Sequence, residues 1–423
     1  MSALESRGAW IPALLLTLAS CGGASDDFVD TASDVAGEAS TDVAGEIDGP
    51  PTLAPVITNV VQVVPSSALP AEVVVQPSAN NLDVADHDGR LFLAFRTAPN
   101  HFANADAHLY VVSTLDEQRW DFEADFTLGT DLREPRLLAW NGRLYLYFSV
   151  LGDNPMAFEP QGIRVTERTA AGRWTEPVAT WEDEFILWRA RVLDGKPEIF
   201  GYRGGADLYS GDLATIEVHW LTTTDGVTLT PRIPGQAAVL TGGVSETDAA
   251  FAPDGAVIAV SRVEGADGRG FGSRICRGEP DALGNWTCVS DPKKYDSPLV
   301  FADRGRVLLI GRRNVTETGE YDLQQTNLPL QKQWLNNELA YWETPKRCAL
   351  WQVDPQTLEV SWLLDLPSLG DTCFASAVSR GPGRYVVYNY SSPLEGDPNI
   401  SWRDGQLGET RIYRMDLTLD PAG

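Results

Sequence analysis

Six short segments carry residue types able to do chemistry. Phe95-Arg96-Thr97-Ala98-Pro99-Asn100-His101 offers a guanidinium and an imidazole. Asp131-Leu132-Arg133-Glu134-Pro135 packs two carboxylates and a guanidinium into five residues. Ser245-Glu246-Thr247-Asp248 and Ser261-Arg262 flank one turn, while Gly311-Arg312-Arg313-Asn314 and Tyr388-Asn389-Tyr390 each end an apolar run. Asp131, Glu134 and Glu246 are the candidate catalytic acid/base groups. Arg96, His101, Arg133, Arg262, Arg312 and Tyr388 are the candidate substrate-binding groups. Only one of Tyr388 and Tyr390 is expected to face the site. Guanidinium and carboxylate groups make directional, charge-assisted bonds to hydroxyls and acids, so such a cluster suits a polyhydroxylated or anionic ligand. Each side chain also has a structural reading: the arginines and acids could pair in an ion network, and His101 could be a solvated loop histidine.

These segments lie at the ends of a repeated unit. From about residue 78 the chain alternates apolar strand, tight turn and apolar strand. The turns are Asp88-Gly89, Asn141-Gly142, Asp194-Gly195, Asp254-Gly255, Arg304-Gly305 and Gly381-Pro382-Gly383. Asp-Gly and Asn-Gly pairs tolerate the positive φ that two-residue hairpin turns require. A second marker follows the first five hairpins: Trp120, Trp174, Leu229, Trp286 and Trp362, spaced by 54, 55, 57 and 76 residues. Six hairpins, each followed by a second strand pair, predict an all-β fold: a six-bladed β-propeller of four-stranded antiparallel blades. A β-sandwich is the alternative. No segment shows a sustained helical period, and residues 410–417 are expected to be the last outer strand or to complete the first blade. Axial loops of such a ring would gather the six segments at one mouth.

The turns Thr224-Asp225-Gly226-Val227-Thr228-Leu229 and Gly284-Asn285-Trp286, with Ser113…Asp116…Trp120, resemble the Asp-box of sialidase-like propellers in worn form. That resemblance spans residues 78–418 and implies a glycan ligand. In that family an arginine triad binds the substrate carboxylate, a tyrosine activated by a glutamate is the nucleophile, and an aspartate is the acid/base. Glu246 and Arg262 match the glutamate and second arginine in context, and an aspartate of loop 101–106, such as Asp106, matches the acid. Asn80-Asn81-Leu82-Asp83 stands where the first arginine belongs, Tyr295-Asp296-Ser297 where the third belongs, and Phe374 where the tyrosine belongs. The resemblance therefore implies a sialidase-like propeller that binds a glycan, with hydrolysis open to it through Asp131, Glu134 or Glu246. A non-catalytic cell-surface interaction propeller is the other function these residues allow.

Composition and address complete the expectation. The 423 residues carry a formal charge of −26, with 59 Asp+Glu against 33 Lys+Arg, which argues against nucleic acid as a partner. Residues 1–20 have the short apolar core of an export signal. They run into Leu18-Ala19-Ser20-Cys21, which resembles the lipobox of bacterial lipoproteins and implies lipidation of Cys21. Gly22 after the cysteine is similar to the pattern of outer-membrane lipoproteins. Residues 21–54 hold eight acids and no Lys or Arg, a disordered tether, and 55–423 form the propeller. The expected partners are the membrane, through the anchor, and a carbohydrate or anionic small molecule; the chain is expected to be a monomer. The four cysteines after Cys21 suggest two disulfides. Three pairings are possible, and Cys276–Cys288 with Cys348–Cys373 needs the shortest loops. Neither a cofactor nor a metal is implied.

Overall fold

Residues 53–204, 216–265 and 267–420 are described by a computed structural model. The export signal, Cys21 and all but the last two residues of the acidic tether lie outside them.

The chain folds as a six-bladed β-propeller. Blades one to five each run outward in chain order from an inner first strand. Those inner strands are Ser78–His87, Leu132–Trp140, Phe185–Leu193, Val244–Phe251 and Leu299–Asp303. Blade six begins with Ser376–Ser379 and Arg384–Ser391, continues with Arg411–Thr418, and takes its outer strand from the other end of the chain, Val56–Val64. Arg411–Thr418 is thus a third strand, neither the last outer one nor part of the first blade. The reason is ring closure: pairing the two chain ends within one blade removes the seam.

Hairpin chemistry sets the blades. Asp88, Asn141, Asp194 and Arg304 all have positive φ, and so do the glycines that follow them. These are the paired left-handed residues of a tight turn that matches strand twist. Both faces of a blade are apolar because each packs on a neighbour. Phe92 and Val111 of blade one meet Leu137 and Phe148 of blade two. Val260 and Ile275 of blade four meet Val300 and Leu309 of blade five. Around the axis, charged groups stitch blades together. Asp83 accepts the Leu137 N–H at 2.8 Å and the Ser376 hydroxyl at 2.6 Å; Asp248 accepts the Val300 N–H at 2.6 Å.

Disulfides join Cys276 to Cys288, on adjacent strands of blade four, and Cys348 to Cys373. The turns after the third strands of blades one, three and five are tied by aspartates. Asp116 accepts the N–H groups of Gln118 and Arg119, Asp225 those of Val227 and Thr228, and Asp354 those of Gln356 and Thr357. Trp120 is buried, whereas Trp362 is 53% exposed.

Two helices interrupt the all-β ring, neither of them marked by a helical period in the sequence. Leu330–Trp342 is a helix, α1, inserted between the second and third strands of blade five; a shorter helix, α2 (Trp402–Leu407), sits in the same place in blade six. Helix α1 accounts for the 76-residue gap between Trp286 and Trp362.

Candidate active site

At one end of every inner strand the pairing with the second strand slips by one residue. Asn80 faces Arg96 but Leu82 faces Phe95, leaving Asn81 extra. Between Arg133–Ser149 and Arg136–Tyr147, two residues oppose one. The same single insertion falls at Trp188 in blade three and at Ser245-Glu246 in blade four. In blade five, Asp296 O accepts the Arg312 N–H while Leu299 faces Ile310, and in blade six Thr372 bridges Ser391 while Ser376 faces Tyr388. A bulge of this kind bends the strand and re-aims a side chain. Asn81, Glu134 and Ser297 adopt positive φ there. One residue per blade results: Asn81, Glu134, Trp188, Glu246, Ser297 and Phe374, all lining a single axial cavity of about 240 Å³.

On the side of blades one and two, Arg96 and Asp131 are fully buried behind the wall. Arg96 Nε and Nη2 donate to Asp131 Oδ1 at 2.9 and 2.7 Å, and Arg133 Nε holds the other oxygen. Arg133 also donates to the His101 carbonyl at 2.6 Å. Asp131 is therefore consumed by two guanidinium groups. Glu134, three residues on, receives only the Asn81 amide, at 3.3 and 3.4 Å, among the described residues. Burial pushes its carboxyl up to about 7, Arg136 pulls it back, and Glu246 adds to the rise. His101 Nδ1 lies 2.7 Å from Asp371 Oδ2, and Asp371 also accepts from Tyr390 and Trp402 at 3.0 Å. Burial opposes ionisation of Asp371, but His101 and Arg312 hold it below the usual carboxylate range.

On the side of blades four and five the charges alternate without a break. Glu246 accepts from Arg262 Nη1 at 2.9 Å and from the Ser297 N–H at 2.8 Å. Arg262 Nε meets Glu264 at 2.8 Å. Lys294 lies 3.5 Å from Glu264 and 2.6 Å from Glu338 of α1. Burial would lower the Lys294 ammonium, yet Glu264 and Glu338 raise it. Burial also holds the Glu264 carboxyl above its ordinary value. Asp296 binds Arg312 at 2.8 Å and the Tyr341 hydroxyl of α1 at 2.9 Å. Arg312 lies over the Trp402 ring at 4.5 Å.

Of the residues singled out in the sequence, His101, Arg133, Glu134, Glu246, Arg262 and Arg312 line the cavity. Arg96 and Asp131 stand behind it, and Asp106 is exposed outside it. Tyr390 lines the cavity and Tyr388 does not; the latter donates to Glu117 at 3.1 Å beside Trp120. Residues two apart share a strand face, so depth along the strand, not alternation, separates the two tyrosines. Sequence reasoning passed over Glu264, Lys294, Glu338, Trp334 and Trp402. The helix that brings two of them had no apolar period to find it by. No cluster of three or more His, Cys, Asp or Glu is placed to hold a metal among the described residues.

No protein-family model and no curated protein matches the chain. Solved structures do. A protein of unknown function from Dyadobacter fermentans superposes with a TM-score of 0.54 at 17% identity, covering 82% of this chain and 97% of that one. Trypanosoma rangeli sialidase gives 0.51 at 13%, covering 81% of this chain, which spans about half of the sialidase's length (55%). Phage phi92 endosialidase gives 0.52 at 11%, with 85% and 69% covered. At these identities the likeness concerns the fold: the chain is a six-bladed β-propeller of sialidase-like architecture.

Proposed function

We propose that this is an exported, lipid-anchored propeller that binds a glycan in the axial cavity and hydrolyses a glycosidic bond there. The observation that carries the reading is the pair Glu134 and Glu246. Two carboxyl groups from different blades line one cavity, the first pushed up by burial and the second ion-paired with Arg262. Environments that differ in this way assign an acid and a charged partner. Glu134 gives its proton to the glycosidic oxygen as the bond breaks. Glu246 faces the positive charge that develops on the sugar carbon. A water then adds to that carbon, and the proton it releases restores the acid. Asp131, locked between two arginines, positions Arg133 instead of reacting. The anchor is Cys21 at the outer membrane, and the acidic tether spaces the ring from the anionic surface.

A panel of fluorogenic glycosides offered to the full-length protein tests the chemistry. At least one should be cleaved, and both Glu134→Gln and Glu246→Gln should abolish most of that turnover; activity unchanged in both variants sinks the assignment. Cys21→Ser should release the protein from membranes into the soluble fraction, and retention there would refute the anchor.

A further inference from the structure

We infer that the sugar held in this cavity is uncharged: a neutral polyhydroxylated ring instead of a carboxylated one. The inference rests on the glycan-binding reading above and names its substrate class. Four cations line the cavity, and each already has a carboxylate. Arg133 has Asp131, Arg262 has Glu246 and Glu264, Lys294 has Glu338, and Arg312 has Asp296. Arg312 spends a further N–H on the Thr372 carbonyl at 2.8 Å and a face on Trp402. A ligand carboxylate would have to share a cation with one of these acids or displace it, and a displaced buried acid is left uncompensated.

The opposite sign of charge is abundant. Glu134, Glu246, Glu264 and Glu338 line the same cavity, with Asp296 and Asp371 buried behind it. A carboxylated sugar would meet Glu246, Glu264 and Glu338 beside cations those acids already neutralise, so it finds like charge with no unpaired cation to offset it. Sugar hydroxyls meet no such conflict, because carboxylates accept from them. The tryptophans fit the same ligand. Trp334 donates its indole N–H to the Glu264 carbonyl at 2.7 Å, Trp342 to Gln406 at 2.5 Å and Trp402 to Asp371 at 3.0 Å. Their polar edges are occupied and Arg312 covers a face of Trp402, so what Trp334 and Trp342 offer the cavity is apolar ring, which suits the C–H face of a neutral sugar.

The test compares matched umbelliferyl glycosides on the full-length protein: neutral hexosides, their own hexuronides and a sialoside. A neutral member should exceed its uronide in kcat/KM by about tenfold or more. Its kcat/KM should change less than about twofold between about 50 and 500 mM NaCl, because no net charge is screened. Asp296→Asn uncovers Arg312 and should narrow the gap toward the uronide. If that variant does not fold, Glu264→Gln, which relieves Arg262 and Lys294, should do the same. Preference for a uronide or the sialoside overturns the inference while leaving the hydrolase reading intact. An unchanged preference in the folded variants also overturns it. If no glycoside of either class is bound or cleaved, the functional reading itself falls.

Discussion

The two walls of the cavity solve the same problem differently. On the side of blades one and two, the charge is sorted: Arg96, Asp131 and Arg133 close on one another, and Glu134 is left beside an amide. On the side of blades four and five, it is shared: from Glu246 through Arg262, Glu264 and Lys294 to Glu338, every group has a partner of opposite sign. The contrast teaches that burial alone does not make a reactive carboxyl. Asp131, just before the strand that carries Glu134, is the more buried of the two acids and the less available. The shared wall instead fastens α1 to the ring, so that Trp334 and Trp342 stand over the cavity.

The contrast can be broken most severely by Glu134→Gln. Loss of the general acid should lower kcat by about 10²–10⁴-fold, read by steady-state kinetics on the cleaved glycoside, with the fold intact by circular dichroism. Next in size, Asp131→Asn should cost about 3–5 kcal/mol in urea unfolding, since Arg96 would be left buried beside a neutral amide. If Asp131→Asn instead cut turnover at unchanged stability, the roles given to the two acids would be reversed. Lys294→Met tests the shared wall. It strands Glu338 and should speed hydrogen exchange within Leu330–Trp342 more than in any inner strand.

Acidity gives a smaller, signed effect. The folded state raises Glu134 from 4.5 to about 7, so it holds a proton that the unfolded chain releases in between. The stability this group contributes is complete below about 4.5 and lost as pH rises to about 7. Wild type should therefore lose stability relative to Glu134→Gln across that window. Thermal melts of both proteins at several pH values would show it, and a difference that is flat with pH would refute it. Smallest of all, Trp362→Ala should change stability by no more than about 0.5 kcal/mol, because more than half of the side chain faces solvent.

Local chemistry explains how much of this was readable in the chain. Asp88-Gly89 and Asn141-Gly142 announce hairpins because the backbone there demands residues that tolerate positive φ. Six such signals predict six blades. Helix α1 left no such trace. Its buried residues are Gln333, Trp334, Asn337, Glu338 and Tyr341, a mainly polar face turned inward toward ions, so apolar periodicity could not reveal it. The same holds for Glu264 and Lys294, whose meaning comes from partners about 30 to 44 residues away in the chain. Glu134 was visible as a residue type. Its distinction from Asp131 was not, because that depends on which of the two the bulge turns toward the cavity.

Ring closure sets an order of events during synthesis. Val56–Val64 leaves the ribosome before any blade, but its partner Arg411–Thr418 is among the last segments made. Until then its exposed Val56, Val60 and Val61 belong to an unpaired strand. The five consecutive blades can assemble as an open arc from local hairpins, while the sixth must wait for both ends of the polypeptide. The amides of Val56–Val64 should be the last to gain protection in pulse-labelled refolding. A chain ending before Arg411 should remain an arc, with no axial mouth to bring Glu134 and Glu246 into one cavity.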